Sequence, residues 1–372
     1  MLSSRNLVAL RRVSFGVCGI PAGSSTPTND VMVGRVTSTR NPGAGMKFEQ
    51  LENRSLRTEF IFTDAPFASA HASTIAETAY GLVAAWFGGP CEGHPEVGIW
   101  LARHEDERWS EPVEIAQGRD RRRRRSPCWN PVLFQPRAGP LLLFYKVGPS
   151  PRRWWGVMMR SDDGGRSWSE AVRLPRGVLG PIKNKPIELA DGAILCPSST
   201  ESLVWRCHLE RTPDHGATWQ KLTALRASRT GDSIQPCILH YPDGTMQILC
   251  RSRRGVITTC WSQDGVHWGR MQPLDLPNPD SGIDAVMLDD GRALLVYNHT
   301  RHGRTPLNLA LSSDGRNWQP AGVLENGPGE YSYPAVIQGQ DRRIHVTYTW
   351  QRQRIRHVTV EPGKLQRVVR SP

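Results

Sequence analysis

Six short fragments recur along the 372-residue chain, each setting a polar residue at the head of an apolar run. They are His71-Ala72-Ser73-Thr74-Ile75, Asn130-Pro131-Val132-Leu133, Lys185-Pro186-Ile187, Gln235-Pro236-Cys237-Ile238, Asp284-Ala285-Val286 and Tyr333-Pro334-Ala335-Val336. Imidazole, phenol, carboxylate and ammonium groups can between them move a proton, attack a carbon centre or hold an anion. A polar group heading an apolar strand needs a partner or water. Six of them meeting in one place point to a ligand site; the alternative is the wet end of a channel, held by structural hydrogen bonds. Asn130, Lys185, Gln235, Asp284 and Tyr333 are the binding candidates. His71 is a candidate acid or base, because imidazole titrates near neutrality.

Other polar residues belong at the same end of those strands. Arg251 ends the run Ile248-Leu249-Cys250-Arg251, and Arg304 closes the loop that begins at His299. Glu92 and Glu96 lie in a Gly-rich loop, Glu201 follows a strand-like run, and Glu330-Tyr331-Ser332 leads into the sixth fragment. Trp154-Trp155, after Pro151-Arg152-Arg153, can offer a flat face to a sugar ring or fill a seam between sheets. Arg119-Asp120-Arg121-Arg122-Arg123-Arg124-Arg125 carries much of the +12 net charge. With no nucleic-acid-binding motif beside it, that run is expected to be a solvated, self-repelling loop, and no nucleic-acid partner is expected.

The elements that must gather these heads are visible as a second repeat. Ser161-Asp162-Asp163-Gly164-Gly165-Arg166-Ser167-Trp168 and Thr212-Pro213-Asp214-His215-Gly216-Ala217-Thr218-Trp219 share the pattern [ST]-x-D-x-G-x-x-W. Ser262 to Trp268 and Ser312 to Trp318 are copies one residue shorter, and His104 to Trp109 is a decayed one. The intervals between Trp109, Trp168, Trp219, Trp268 and Trp318 are 59, 51, 49 and 50 residues, the longest containing the arginine run. A period near 50 fits four short strands and their turns, one blade of a β-propeller. In each copy Asp bonds nearby backbone N–H groups while Gly takes positive φ, so these aspartates are read as folding devices. Six strand heads give six blades. Blade six lacks an Asp-box; its strands are expected near 333–338, 343–350 and 353–360, with Arg57–Thr63 completing it and closing the ring.

Composition is consistent with an all-β chain: 35 glycines, 29 prolines and 13 tryptophans, with mean hydropathy −0.45. No apolar run is long enough to span a membrane, and no membrane partner is expected. The eight cysteines form no C-x-x-C pair and no zinc-finger spacing, so they read as reduced, small apolar groups in an intracellular, most simply cytoplasmic protein. No metal and no cofactor are expected. Residues 1–29 contain no acid and carry Arg5, Arg11 and Arg12, loosely like an organelle-targeting leader. Residues 1–52 are expected as a tail, 53–364 as the propeller and 365–372 as a C-terminal tail.

With its Asp-boxes, six blades and polar mouth, the chain resembles the sialidase (neuraminidase) superfamily over residues 57 to 360. The resemblance implies an exo-glycosidase for a terminal acidic sugar. Three arginines hold its carboxylate, a tyrosine assisted by a glutamate attacks, and an aspartate is the acid/base. A neutral phenol suits an anionic sugar, which would repel a carboxylate nucleophile. Tyr331-Ser332 matches the family's Tyr-Ser pair, making Tyr331 the nucleophile it implies, and Arg251 and Arg304 match the second and third arginines. His71-Ala72-Ser73 stands where the family's Arg-Ile-Pro belongs, and Gln235 where the assisting glutamate belongs. Glu92 or Glu96 lies in the loop of the acid/base. These departures leave open a uronate-directed lyase or hydrolase centred on His71, or a propeller that binds acidic sugars without catalysis.

Overall fold

The computed structural model describes residue 48 and residues 56–365, except 121, 223 and 226–231. The expected tails fall almost wholly outside them; Phe48 is described, its ring 4.7 Å from that of His299. Cys128, Cys196, Cys207, Cys237, Cys250 and Cys260 are buried thiols. Among the described residues no helix is long and apolar enough to cross a membrane.

Six antiparallel sheets form the blades. Blade one is Ser69–Thr78, Gly81–Gly89, Gly98–Glu105 and Val113–Gln117, with the short Arg108–Trp109 at its rim. Blade two is Cys128–Phe134, Leu141–Val147, Trp155–Ser161 and Val172–Arg173. Blade three is Ile187–Glu188, Ile194–Glu201, Trp205–Thr212 and Gln220–Lys221. Blade four is Ser233–His240, Met246–Ser252, Val256–Ser262 and Gln272–Pro277. Blade five is Asp284–Met287, Ala293–Tyr297, Leu307–Ser312 and Gln319–Glu325. Blade six is Tyr331–Gln338, Ile344–Trp350 and Arg354–Val360, completed by Leu56–Phe60, which pairs antiparallel with Arg354–Val360. The N-terminal strand thus closes the ring and removes its open edge.

Each blade is covered on both sheet faces, so its middle strands read as continuous apolar runs rather than as alternation. Leu141–Val147 is buried along its whole length. The Asp-boxes seal the seams. Asp264 Oδ1 accepts the amides of Val266 (2.9 Å) and His267 (2.7 Å), and the Trp268 ring donates to Gly265 O at 3.0 Å. Gly315 has φ +65°, and a Cβ there would stand 2.2 Å from the Tyr241 hydroxyl of the preceding blade. Glycine is therefore required twice over, by conformation and by contact.

The inner strands carry a device not visible in the composition. In blades one, two, four and six the pairing slips by a β-bulge, between His71 and Thr74, Trp129 and Val132, Ile234 and Cys237, and Ser332 and Ala335. One residue in each adopts positive φ: Ala72, Asn130, Gln235 and Tyr333. Proline follows three of these four, where the ladder has already lost its hydrogen bond. This corrects the register of four of the six heads. The strands of these four blades start two residues before the polar residue, and in blade one the bulge belongs to Ala72, with His71 one place earlier.

Candidate active site

The bulges turn their side chains towards the mouth of the central channel, and the loops joining second to third strands lean over it. Tyr333 is the hub. Arg251, on the second strand of blade four, donates to the Tyr333 hydroxyl at 2.9 Å and to Gln235 Oε1 at 3.2 Å. Gln235 Nε2 donates to Glu201 at 3.1 Å and lies 3.5 Å from the Tyr333 hydroxyl. Arg251 is buried and anchored by Asp280 at 2.8 Å. Burial works against its charge, but Tyr333, Asp280 and Glu201 outweigh it and raise its pKa. Glu201 is pushed up from the usual carboxylate range, by burial first, against Arg251 and the Gln235 amide.

A second half of the mouth is built by blades five, six and one. Arg304 donates to Glu330 at 2.7 Å and reaches Ser332 at 3.5 Å. Arg352, in the turn after Ile344–Trp350, donates to the other Glu330 oxygen at 2.9 Å and pairs with Glu92 of blade one. Burial raises the Glu330 carboxyl, but bonding to Arg352 and the charge of Arg304 bring it below its ordinary value. His71 is buried with its ring centroid 4.3 Å from that of Tyr333, and its Nδ1 has no hydrogen-bond partner among the described residues. Its pKa lies well below 6.5, through burial first and then the charges of Arg352, Arg304, Arg251 and Lys183. At neutral pH it is an uncharged imidazole inside a ring of cations.

Beneath the mouth the channel is plugged. Lys183 donates to Asn184 (2.9 Å), to Ile283 O (3.0 Å) and to Pro334 O, tying blade three to blades five and six. Burial lowers its pKa to about 8. Lys185 donates to Asp284 at 2.9 Å, and Asp284 also accepts the Val336 amide at 2.8 Å. The three arginines, a phenol and a neutral imidazole above this plug form a polar, anion-attracting cluster. Among the described residues no group of three or more His, Cys, Asp or Glu side chains could hold a metal ion.

The BNR repeat-like domain family matches residues 81–346 of the chain. This chain belongs to that family. Among solved structures, the BNR repeat-like propeller is similar to a protein of unknown function from Dyadobacter fermentans, at 18% identity and a TM-score of 0.68 over 82% of this chain and 99% of that one. It is similar to the NanB sialidase of Streptococcus pneumoniae, at 13% identity and TM-score 0.66 over 83% and 71%. It is also similar to the intramolecular trans-sialidase of Ruminococcus gnavus, at 15% and 0.66 over 83% and 98%. At these identities the likeness establishes the sialidase-like fold. No curated protein matches the chain in sequence.

Within this BNR repeat-like propeller the residues expected from the sequence separate into three groups. Tyr333, Gln235, Arg251, Arg304, His71 and Glu92 are brought to the mouth. Lys185 and Asp284 are spent on each other in the plug. Tyr331 is placed elsewhere: it lies in the apolar seam with Leu307, Tyr348 and Trp350, and its hydroxyl donates to Pro328 O at 3.3 Å. The bulge explains the difference, because positive φ at Tyr333 turns that side chain to the axis while Tyr331 points between blades. Glu96 is exposed, its amide bonded to the His94 ring at 3.2 Å, and Asn130 is buried at its own bulge. Arg352, Asp280 and Lys183 were not singled out from the sequence. Arg352 had a readable signal: it occupies the same second-to-third-strand loop in blade six as Arg304 does in blade five.

The described arginines of the run are exposed, as a solvated loop requires, and the segment is held as a hairpin, because Asp120 accepts the amides of Arg122 (2.8 Å) and Arg124 (2.9 Å) and the Arg124 guanidinium (3.0 Å).

Proposed function

We propose that this protein is a carbohydrate-active enzyme of sialidase type, acting on the terminal acidic sugar of a glycan. The supporting observation is the Tyr333 hydroxyl, 2.9 Å from a buried Arg251. Arg304 and Arg352 meet at Glu330 on the same mouth. The substrate carboxylate pairs with this arginine set, Arg352 standing in for the arginine that His71 replaces. Tyr333 attacks the anomeric carbon: its oxygen forms the new bond, the bond to the leaving oxygen breaks, and Glu92 supplies that oxygen with a proton. Water then cleaves the tyrosyl–sugar bond. Gln235 cannot take the phenolic proton, so that proton leaves to solvent water before attack, and the Arg251 guanidinium stabilises the phenolate left behind.

The test is release of 4-methylumbelliferone from its sialoside by purified protein. Tyr333→Phe should abolish release while Tyr331→Phe retains it; turnover by Tyr333→Phe equal to wild type would sink the reading. A second reading, a uronate-directed lyase or hydrolase, is favoured by one feature: the neutral His71 with an unpartnered Nδ1 against Tyr333. It predicts turnover of a uronoside that His71→Ala abolishes and Tyr333→Phe spares.

A further inference from the structure

A groove of about 440 Å³ runs outward from the mouth between blades two and three. Arg152, Trp154, Trp155, Arg173, Arg176 and Lys221 line it, and Glu201 is the one acid among its described lining residues. Arg152, Arg173, Arg176 and Lys221 are exposed, and both tryptophans are half-buried. The guanidinium of Arg173 stands 4.6 Å from the centroid of the Trp155 ring. Such a stack presents a flat apolar surface and fixed positive charge side by side.

The groove meets the mouth at its inner end. Glu201, at its inner end, accepts the Gln235 amide that touches Tyr333. One of the groove's walls is the loop that follows Leu141–Val147, whose Gly148 N donates to Pro127 O, just past the arginine hairpin, at 3.1 Å. Trp129 bonds the same loop at Gly148 O (2.8 Å), and its ring lies 6.1 Å from that of Trp154. The hairpin carries the exposed Arg119, Arg122, Arg123, Arg124 and Arg125 and closes on itself through Ser126 N to Gly118 O at 3.1 Å. One arc of the mouth face therefore carries two basic stretches, the hairpin and the groove, with Trp129 and Trp154 between them, although Asp120 and Glu114 pair with Arg124 and Arg125.

We propose that this arc is an extended subsite for an acidic oligosaccharide whose terminal sugar occupies the mouth. This rests on the reading of the mouth given above and adds the substrate class: a chain of several anionic sugars rather than one acidic cap on a neutral glycan. The indoles take the C–H faces of successive rings, and the arginines and Lys221 take their carboxylates or sulfates. Glu201 keeps the groove's inner end from being uniformly cationic, which directs the anion to the arginines on either side of it. A basic face of this kind also draws an anionic chain in from solution, and the attraction weakens as salt screens it.

Calorimetric titration of the Tyr333→Phe protein, which cannot turn substrate over, tests this with sialic acid and its linear homo-oligomers at low and high salt. Affinity should rise with oligomer length and lose that rise at high salt. Adding Arg152→Gln and Arg176→Gln should remove the gain with length while the monosaccharide affinity and the melting temperature stay unchanged. Equal affinity for monomer and oligomers overturns the proposal, as does a length gain untouched by the two substitutions. An oligodeoxynucleotide of equal charge binding as tightly as the oligosaccharide overturns it too, in favour of a nucleic-acid surface. If oligomers bind with a groove-dependent gain but the monosaccharide does not bind, the subsite stands and the reading of the mouth fails.

Discussion

The two ends of each blade use the same residue types in opposite ways. At the Asp-box end the aspartate carboxylate is satisfied within a few residues of itself. Asp163 accepts from Ser161 (2.8 Å), from the Arg166 amide (3.0 Å) and from Ser167, whose hydroxyl and amide hold its carboxyl well below the usual range. At the mouth and in the plug beneath it the partners are far apart in the chain: Arg251 with Tyr333, Lys185 with Asp284, Arg352 with Glu92. Groups that complete each other locally make a turn and have nothing left for a ligand. Groups assembled from several blades leave atoms without partners, such as His71 Nδ1. Such residual capacity is what a ligand can use.

The contrast can be broken most sharply at the mouth. Arg304→Ala should weaken binding of an acidic sugar by about a hundredfold, the scale of losing a charge-assisted contact of some 2–3 kcal/mol. Titration calorimetry would read this, and the melting temperature should stay near that of wild type. The reverse pattern is expected of Gly315→Ala. Positive φ and a Cβ 2.2 Å from Tyr241 should destabilise the fold by on the order of 3 kcal/mol, seen in thermal denaturation, with sugar affinity per folded molecule unchanged.

A smaller effect should appear with pH. His345 is held near pKa 4 by burial first, then by His357, against Asp341. His71 is likewise depressed. Between pH about 6.5 and 4 the unfolded chain binds protons that the folded chain refuses, so stability falls as pH falls through that window. Melting temperatures should therefore drop from pH 7 to pH 4, and His345→Gln should flatten part of the slope; an unchanged slope would count against the assignment. The least effect is expected from Asp214→Asn. It should lower the melting temperature modestly, because the bonds to the Thr218 amide (2.7 Å) and hydroxyl (2.6 Å) are weakened, and leave the mouth's affinity intact. A loss of affinity there would show that the two ends are coupled.

Much of the fold was legible because its signals are local. The Asp-box spacing, the Gly-bearing turns and the apolar runs each follow from a few neighbouring residues. They led to six blades and to the closing strand at the N-terminus. The mouth was legible only in outline. Gln235, Arg251, Arg304 and Tyr333 were expected there, but the Tyr-Ser pair drew attention to Tyr331, which points into the apolar seam between blades. Arg352 is readable only through its correspondence to Arg304 in the preceding blade, because a turn residue in a Gln-Arg-Gln stretch carries no other mark.

The sequence by itself determined the repeat, its period, the blade count and which residues serve the turns, since those depend on backbone preferences and contacts within one hairpin. Only the tertiary structure decided which tyrosine faces the channel, that a third arginine comes from blade six, and that Lys185 and Asp284 are consumed in the plug. Those outcomes depend on four β-bulges and on approaches between blades far apart in the chain. A one-residue change of register sends a side chain to the other face, and that register is set by the packing of whole sheets.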